Sequence, residues 1–295
     1  MEQIPFDKRT GKIWINNELV DWSKAKVHVL NHGLHYASCV FEGERVYDGS
    51  IFKLSEHTNR LFYSAKRMGI KMPYTVKEIN EACNLIVSVQ KVKNGYVRPF
   101  VWRGSEMMAI SAQKTTTHVA IATWEWGRYF DPKLLDKGIK LNISKWRRPN
   151  PNSVPWDTKS SGLYMICTLS KHDAEAQGYT DSLMLDHEGN IAEATGANIF
   201  FKDKQEILHT PIPDSFLDGI TRRCVINIAR SKGVEIKERK IHPEELPNFI
   251  GCFLTGTAAE VTPVCQIENH KFSVCDVVRD LSKSYHSLVT KKSAA

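Results

Sequence analysis

The hydrophobic pattern of the chain predicts helices and strands in separate groups. Apolar residues recur every three or four positions over 56–68 and again after Thr75, which predicts two amphipathic helices. Thr75 and Glu78 have the spacing of a capping box at the start of the second helix. Asn16-Asn17 and Asp48-Gly49 each lie between apolar runs, so we predict a β-hairpin at both places.

The same patterns predict the remaining elements. Alternation over 96–102 predicts a strand that carries Tyr96 and Arg98 on one face. Further strands are predicted at 118–124, 140–146, 182–186, 191–201 and 234–239, and further helices at 163–176, after Gly219 and at 276–289. Because the strands form groups without a regular βαβ alternation, the fold class is predicted to be α+β.

The chain length and the positions of glycine and proline predict two domains. A chain of 295 residues is long enough for about two domains. Gly127 and Asp131-Pro132 interrupt the periodic segments. We therefore predict a small N-terminal α+β domain at 1–124, a connector at 125–136 and a larger α+β domain at 137–295 that carries Lys159.

Composition narrows the class of protein. The net charge of +7, from 40 basic and 33 acidic residues, is spread along the chain, which weakly favours anionic partners and does not indicate nucleic acid. Seven cysteines without a Cys-x-x-Cys spacing indicate buried thiols rather than disulfides or a metal site. The sequence lacks a secretory signal and a membrane-spanning run, which predicts a cytoplasmic enzyme.

Two ionisable residues suggest cofactor chemistry. Lys159 follows a proline-rich loop, and an amine near apolar residues can form a Schiff base, although a solvated lysine fits the same pattern. Glu193 lies in the apolar run 191–201. Its carboxylate either pairs with a cation such as a protonated pyridine nitrogen, or faces water at a strand edge.

Three further features suit an anion. Gly219-Ile220-Thr221 opens a predicted helix, so its backbone amides can bind a phosphate, but an ordinary N-cap has the same sequence. Thr255-Gly256-Thr257 is a hydroxyl-rich turn of the kind that binds anions. Arg60 lies on the first long helix, either near the phosphate or at the surface.

The order and spacing of these residues resemble the class IV aminotransferases, the pyridoxal-phosphate enzymes of fold type IV. The segment from Glu193 to Arg222 fits that family's signature: Glu, then Asn-Ile-Phe, then Leu-x-Thr, then Leu-x-Gly-Ile-x-Arg. Within the class, the chain is most similar to branched-chain amino acid aminotransferases. The shared patterns are Leu34-His35-Tyr36, Val40-Phe41-Glu42-Gly43, Tyr96-Val97-Arg98-Pro99, Trp126-Gly127 and Thr255-Gly256-Thr257-Ala258-Ala259-Glu260.

The resemblance implies a two-domain fold with pyridoxal 5'-phosphate between the domains, and a role for each site residue. Lys159 is the catalytic residue, which forms the Schiff base and moves the proton. Glu193 pairs with the pyridine nitrogen, and Tyr164 donates to the ring's phenolic oxygen. The cofactor-binding residues are Arg60, Lys159, Tyr164, Glu193, Ile220, Thr221 and Thr257. The substrate-binding residues are Tyr36, Phe41, Tyr96, Arg98, Trp126, Tyr129, Thr257 and Ala258.

The resemblance also implies the reaction and the partners. The reaction is a reversible ping-pong transfer of the amino group of L-leucine, L-isoleucine or L-valine to 2-oxoglutarate, and the protein is a homodimer or a higher homo-oligomer. D-amino-acid aminotransferase and aminodeoxychorismate lyase share the fold, and a catalytically silent binding protein is a further alternative. Tyr96-Val97-Arg98-Pro99 favours the branched-chain enzymes.

The sequence departs from the family pattern at Asp218, at residues 104–109 and, mildly, at Ser160-Ser161 after the lysine. Asp218 stands where proline is common, and a carboxylate beside a phosphate repels it unless the side chain points away. Residues 104–109 replace a glycine-richer loop that reaches across the dimer, which leaves the fine substrate preference open.

Overall fold

A computed structural model describes residues 4–127 and 136–290. The chain divides into two compact units, each described by itself. The first comprises Met1–Gly127 with Thr158–Gly162, and the second comprises Arg128–Asp157 with Leu163–Ala295. Lys159 thus belongs by its contacts to the first unit, whereas the sequence interpretation put it in the larger domain at 137–295. The reason is a backbone bridge between Val40 and Ser160, which no local pattern reveals.

The first unit is built of one β-sheet and several helices. Its strands are β1 (Lys12–Ile15), β2 (Glu18–Asp21), β3 (Cys39–Phe41), β4 (Glu44–Tyr47), β5 (Ser50–Ile51), β6 (Gly95–Arg103) and β7 (Thr117–Glu125). Its helices are α1 (His32–Tyr36), α2 (Leu54–Arg67) and α3 (Val76–Val89). The strands run antiparallel in the order β2-β1-β7-β6-β4-β5, and β3 also pairs with β6.

Local chemistry accounts for the hairpins and the helix starts in this unit. Asn16 and Asn17 have φ values of 49° and 71°, and Asp48 and Gly49 have 47° and 80°, as the predicted two-residue turns require. Both hairpins are confirmed. The capping box at Thr75 is also present, since the Thr75 side chain accepts from the Glu78 backbone and the Glu78 side chain accepts from the Thr75 backbone.

The core of the first unit lies where α2 and α3 pack on the sheet. Helix and strand residues contribute side chains without exposed surface to a single apolar cluster, among them Leu61, Ile79, Ile86, Val97 and Ile121. The apolar faces predicted for the two helices are therefore the faces that make this core.

The second unit is built around a closed sheet. Its strands are β8 (Ile139–Ile143), β9 (Asp181–Leu185), β10 (Ile191–Ala194), β11 (Asn198–Asp203), β12 (Leu208–Thr210), β13 (Ile236–Glu238), β14 (Phe249–Gly256), β15 (Glu260–Ile267) and β16 (His270–Lys271). Its helices are α4 (Met165–Ala176), α5 (Ile220–Ser231) and α6 (Asp276–Thr290). The order is β10-β9-β8-β15-β14-β11, and β11 pairs again with β10, so these strands close into a barrel.

The barrel interior is the core of this unit. All six closed strands contribute to one cluster of side chains, including Ile139, Leu183, Ile191, Ile199 and Leu254. These side chains are almost completely buried, so the barrel is packed with side chains and has a rigid wall.

One predicted strand is wrong. The segment 191–201 is not a single strand but the two strands β10 and β11, which pair with each other at Glu193 and Asn198. The Ala194 backbone N–H donates to the Ala197 carbonyl at 2.8 Å and closes the turn between them. The apolar run conceals this turn, because Thr195-Gly196-Ala197 interrupts it with small residues only. The turn brings Glu193 and Asn198 to opposite positions.

Several element ends differ by a few residues from the prediction. The strand predicted at 140–146 ends at Ile143, and α4 begins at Met165 after a 3₁₀ turn at Ser161–Tyr164. In the described ranges, every helix is too short or too polar to cross a bilayer.

Candidate active site

The backbone around Lys159 is held against β3 and α2 of the first unit. The Phe41 N–H donates to the Lys159 carbonyl at 3.1 Å, and the Lys159 N–H donates to the Ser64 hydroxyl at 3.0 Å. These bonds lie on both sides of the Lys159 Cα. The structure therefore fixes the point from which the lysine side chain projects.

The Lys159 amine lies among an aromatic ring and two guanidinium groups. Its Nζ is 5.0 Å from the centre of the Phe41 ring. Burial, the largest cause, and the charges of Arg60 and Arg98 together lower the pKa of Lys159 from 10.5 to about 8, although Glu42 and Tyr96 act to raise it. A substantial fraction of the amine is neutral at mildly alkaline pH, so it can act as a nucleophile and as a base.

Arg60 is held by a buried carboxylate. The Arg60 Nε and Nη2 donate to the two oxygens of Glu42 at 2.6 and 2.9 Å, and His57 Nδ1 donates to the same carboxylate at 2.6 Å. Burial raises the pKa of Glu42, but the Arg60 and His57 side chains lower it well below its usual range. The pKa of His57 is lowered by burial, so the ring is neutral and its Nδ1 carries the donated proton. This bidentate pair fixes the direction of Arg60.

Gly43, the residue after Glu42, leaves room for the Tyr96 side chain. A Cβ atom on Gly43 would lie 1.7 Å from the Tyr96 hydroxyl oxygen, so a side chain there would displace Tyr96. The three residues Phe41, Glu42 and Gly43 thus each contact a different residue of the predicted site.

Arg98 lies on an aromatic surface. Its guanidinium carbon is 4.6 Å from the Phe41 ring centre and 5.3 Å from the Tyr96 ring centre, which confirms that Tyr96 and Arg98 share a strand face. The Trp126 ring packs edge-on against Tyr96 at 4.9 Å. A cation on an apolar wall can bind a carboxylate while the rings accept an aliphatic chain.

Two predicted substrate residues stand apart from this description. Tyr36 ends α1, where 41% of the residue is exposed and its ring packs on His32 at 4.6 Å. Tyr129 lies outside the described residues. The roles assigned to both remain predictions.

In the second unit, Glu193 is buried beside Asn198 and Arg148. Its Oε2 accepts from the Asn198 Nδ2 at 3.2 Å, and its Oε1 lies 3.4 Å from the Arg148 Nε. Arg148 is itself buried and donates to the Leu163 carbonyl at 3.3 Å. This excludes the alternative of a strand-edge carboxylate that faces water. The setting suits an ionised carboxylate that pairs with a further cation.

The start of α5 has the properties of an anion site. Its N-cap is Gly219, which has no side chain that could accept a hydrogen bond from the first turn. Ile220 and Thr221 follow as the first helical residues, where backbone N–H groups point outward and the helix dipole favours an anion. Thr255, opposite Asn198 on β14, has a buried hydroxyl without a hydrogen-bond partner among the described residues.

The remaining predicted cofactor residues lie at turns. Thr257 and Ala258 are partly buried in the turn between β14 and β15, which closes with Gly256 opposite Glu260. Tyr164 is the last residue of the 3₁₀ turn before α4. An amine, a buried carboxylate and a helix start without a side-chain cap are the groups that a phosphorylated pyridine needs, so the residues of this chain fit pyridoxal phosphate.

Asp218 has a structural explanation. Its two oxygens accept from Arg222 Nη1 at 3.0 Å and from Arg223 Nη1 at 3.2 Å. The charge that would repel a phosphate at the α5 start is thus paired with two guanidinium groups.

Sequence reasoning missed four residues of these networks: Glu42, His57, Arg148 and Asn198. Glu42 and Asn198 stand inside the motifs that carry the resemblance, so the signal for them was present as a pattern without a role. His57 and Arg148 have no distinguishing local context and are revealed only by their contacts.

Comparison with known proteins places the chain in a family. Residues 39–267 match the sequence model of the family described as amino-transferase class IV. The chain belongs to the class IV aminotransferases. The branched-chain-amino-acid aminotransferase of Pseudomonas aeruginosa is 40% identical to this class IV aminotransferase over 97% of this chain and 95% of the relative.

Solved structures give the same family. A branched-chain amino acid aminotransferase from T.th. with pyridoxamine 5'-phosphate has a TM-score of 0.92 and 35% identity, over 96% of this chain and 95% of that one. The Escherichia coli branched-chain amino acid aminotransferase has a TM-score of 0.92 and 34% identity, over 96% and 95%. The predicted family, α+β fold type IV class, aminotransferase activity and pyridoxal-phosphate cofactor are confirmed. The roles of individual residues stay predictions.

Proposed function

We propose that this class IV aminotransferase reversibly transfers the amino group of L-leucine, L-isoleucine or L-valine to 2-oxoglutarate, giving L-glutamate and the branched 2-oxo acid. Relatives and solved structures that bear the branched-chain aminotransferase name align over nearly the whole chain and support this function. The observation on this molecule that carries the proposal is the Lys159 amine, which lies on the Phe41 ring with a pKa of about 8.

Each group that the cofactor needs is assigned to a residue of this chain. Lys159 provides the amine, Glu193 the carboxylate for the pyridine nitrogen and Tyr164 a phenol for the ring oxygen. Arg60, the backbone amides of Ile220 and Thr221, and Thr257 bind the phosphate. Pyridoxal phosphate, when bound, supplies an electron sink for the carbanion that forms when Cα loses its proton.

Lys159 also carries the proton in each half-reaction. Its neutral Nζ takes the proton from the Cα of the amino acid in one half-reaction, and its protonated form gives a proton to the Cα of the oxo acid in the other, as a base with a pKa of about 8 can do. The backbone hydrogen bonds to Phe41 and Ser64 on either side of its Cα fix the point from which this side chain projects.

Arg98 and its aromatic neighbours are proposed to accept both substrates. The guanidinium binds the γ-carboxylate of glutamate, and the faces of Phe41 and Tyr96 contact the branched side chains. Tyr36, Trp126 and Tyr129 complete the predicted apolar pocket, and Tyr96 with the Thr257-Ala258 turn binds the α-carboxylate.

We further propose a cytoplasmic homo-oligomer, at least a dimer. All seven cysteines are free thiols, as expected in a reducing compartment. Apolar side chains on the segments around α1 and at 106–110 are strongly exposed in the single chain, which supports a protein partner there.

Trapping with borohydride tests the cofactor lysine. When the protein is incubated with pyridoxal phosphate and reduced, we expect the added mass on the peptide that contains Lys159 and its absence in Lys159→Ala. Activity in that variant is expected to fall by about a thousand-fold or more. Label on another lysine contradicts the proposal.

A panel of amino donors with 2-oxoglutarate tests the substrate. We expect turnover of L-leucine, L-isoleucine and L-valine and no turnover of D-leucine. Turnover of D-leucine, or of aminodeoxychorismate alone, identifies one of the two enzymes of the same fold instead, and failure to turn over any donor identifies a silent binding protein.

The pH dependence of Lys159 is a separate prediction. An amine reacts only when neutral, so in the apo-protein its acetylation by acetic anhydride is expected to be half-maximal near pH 8, because the pKa is lowered to about 8. Peptide mass spectrometry follows the label, and the urea-unfolded protein, whose lysines titrate at about pH 10.4, is the reference. A half-maximum near that reference value contradicts the prediction.

A further inference from the structure

One side-chain amide links two separate parts of the second unit. Asn198 Nδ2 donates to the Glu193 Oε2 at 3.2 Å and to the Leu217 carbonyl at 3.0 Å. Its Oδ1 accepts from the Gly219 N–H at 3.1 Å. The side chain is buried, and these contacts use both donors and an acceptor lone pair of the amide.

Asn198 lies on a rigid support. It is the first residue of β11, paired with Glu193 on β10 and with Thr255 on β14. Both neighbouring strands belong to the closed barrel, whose wall cannot shift without disturbing a packed interior.

The contact with α5 needs a glycine. A Cβ atom on Gly219 would lie 2.2 Å from the Asn198 Oδ1. The Gly219 φ of −66° is one that any residue adopts, so the requirement is close approach and not backbone freedom. Asn198 and Gly219 are therefore matched to each other.

We propose that Asn198 is a positioning residue that sets the spacing between the two ends of the bound cofactor. It connects the Glu193 carboxylate, expected at the pyridine nitrogen, to the α5 start, expected at the phosphate. A phosphorylated pyridine is stiff, so both ends bind well only when these groups keep one spacing. This inference rests on the proposed function.

The alternative is that Asn198 only stabilises the fold. If Asn198 only stabilises the fold, its removal lowers the free energy of unfolding. The ratios of the dissociation constants for different cofactor analogues then stay unchanged. Ligands that lack one end of the cofactor therefore separate the two roles.

Three variants dissect the contacts. Asn198→Ala removes all three. Asn198→Asp has the same shape and keeps an acceptor for the Gly219 N–H, but its second oxygen replaces the Nδ2 donor and faces the Glu193 carboxylate and the Leu217 carbonyl. Asn142→Ala is the matched control, since Asn142 is buried on β8 of the same barrel and accepts from the Ser182 hydroxyl.

The experiment measures dissociation constants of the apo-protein for three probes. Pyridoxal phosphate is the reference, pyridoxal lacks the phosphate, and 1-deazapyridoxal phosphate lacks the ring nitrogen. The ratio for pyridoxal over pyridoxal phosphate reports on the phosphate end, and the ratio for the deaza analogue over pyridoxal phosphate reports on the nitrogen end.

Asn198→Ala is expected to weaken the binding of pyridoxal phosphate by about ten- to a hundred-fold, as the loss of hydrogen bonds to a charged group does. It is also expected to lower both ratios of dissociation constants. Asn198→Asp is expected to lower mainly the deaza ratio. Asn142→Ala is expected to leave both ratios at the values of the unsubstituted protein.

A double-variant cycle tests the match between the two residues. Gly219→Ala alone is expected to lower the phosphate ratio, because its Cβ displaces Asn198. In the Asn198→Ala background the same change is expected to have little further effect, since the group with which it clashes is gone. Additive effects contradict the proposed link.

Two other results overturn the inference. The first is unchanged ratios in Asn198→Ala, or in Asn198→Asp if the alanine variant does not fold. The second is an equal change in Asn142→Ala. If the unsubstituted protein itself shows neither ratio above one, the cofactor assignment fails and the inference falls with it, which distinguishes the two failures.

Discussion

At the scale of single residues, the Glu42 carboxylate acts on both Arg60 and Lys159. Glu42 holds Arg60 through two hydrogen bonds and also raises the pKa of Lys159, while Arg60 and Arg98 lower it. The same carboxylate therefore orients one group of the predicted site and sets the proton affinity of another.

Glu42→Gln separates these effects. Without the negative charge, the pKa of Lys159 is expected to fall below about 8, so the pH of half-maximal acetylation moves down. We expect pyridoxal phosphate to bind about ten-fold more weakly, because Arg60 loses a charged partner. Glu56→Gln, on the exposed part of α2, is the control. An unchanged or higher midpoint contradicts this role.

Glu44 is a second buried carboxylate, next to the first, with a different effect. Within residues 4–127 and 136–290, neither of its oxygens has a hydrogen-bond partner. Burial and the charge of Glu42 raise the pKa of Glu44 well above 4.5. Above pH 4.5 the unfolded state loses this proton while the folded state keeps it, so the folded state loses stability as pH rises.

Glu44→Gln is therefore expected to stabilise the protein, increasingly with pH. Relative to the unsubstituted chain, its free energy of unfolding gains about 1.4 kcal/mol per pH unit above 4.5, up to the pKa of Glu44 in the fold. Urea unfolding of both proteins at pH 5, 6, 7 and 8 measures this difference. A difference that does not grow with pH excludes a neutral Glu44.

At the scale of elements, the ends of helices and strands serve different purposes. The N-terminus of α3 is closed by its own side chains, whereas that of α5 has no side-chain cap and starts at Gly219. A helix start whose amides are already capped is only structural, while one without a side-chain cap can bind an anion.

The cap of α3 gives a stability prediction. Thr75→Ala removes the side-chain acceptor for the Glu78 N–H, and we expect a loss of about 1 kcal/mol in the free energy of unfolding. Thr168→Ala, an exposed threonine within α4, is the control and is expected to change stability by less than about 0.5 kcal/mol. Equal losses in urea unfolding would show that the cap adds nothing.

At the scale of the whole molecule, exposed apolar side chains point to assembly. Leu34 is 67% exposed and Ile110 is 84% exposed. Their segments are joined, because the His32 N–H donates to the Gly104 carbonyl and the His32 Nε2 bonds the Ala109 carbonyl, both at 2.9 Å. The 104–109 segment that departs from the family pattern thus lies beside this apolar surface.

Leu34→Glu and Ile110→Glu test the proposed oligomer. Each puts a charge into a surface that we expect a second copy to cover, so sedimentation should show a shift toward the monomer at micromolar concentration. Leu85→Glu, which is exposed on α3 of the same unit, is expected to leave the assembly unchanged. Oligomers that persist in both variants exclude this surface as the contact.

The sequence by itself determined what short-range interactions decide. The turns at Asn16-Asn17 and Asp48-Gly49, the capping box of α3 and the shared face of Tyr96 and Arg98 depend on neighbours a few positions away. The motif from Glu193 to Arg222 identified the family and the cofactor, since its groups follow one another along the chain.

Only the tertiary structure decided which distant residues meet. Lys159 joins the first unit through Ser64, 95 residues away, and Glu42 holds Arg60, 18 residues away. The turn that splits 191–201 exists because Glu193 and Asn198 pair across it. Such contacts depend on how strands are ordered in a sheet, and this order leaves no periodic trace in the sequence.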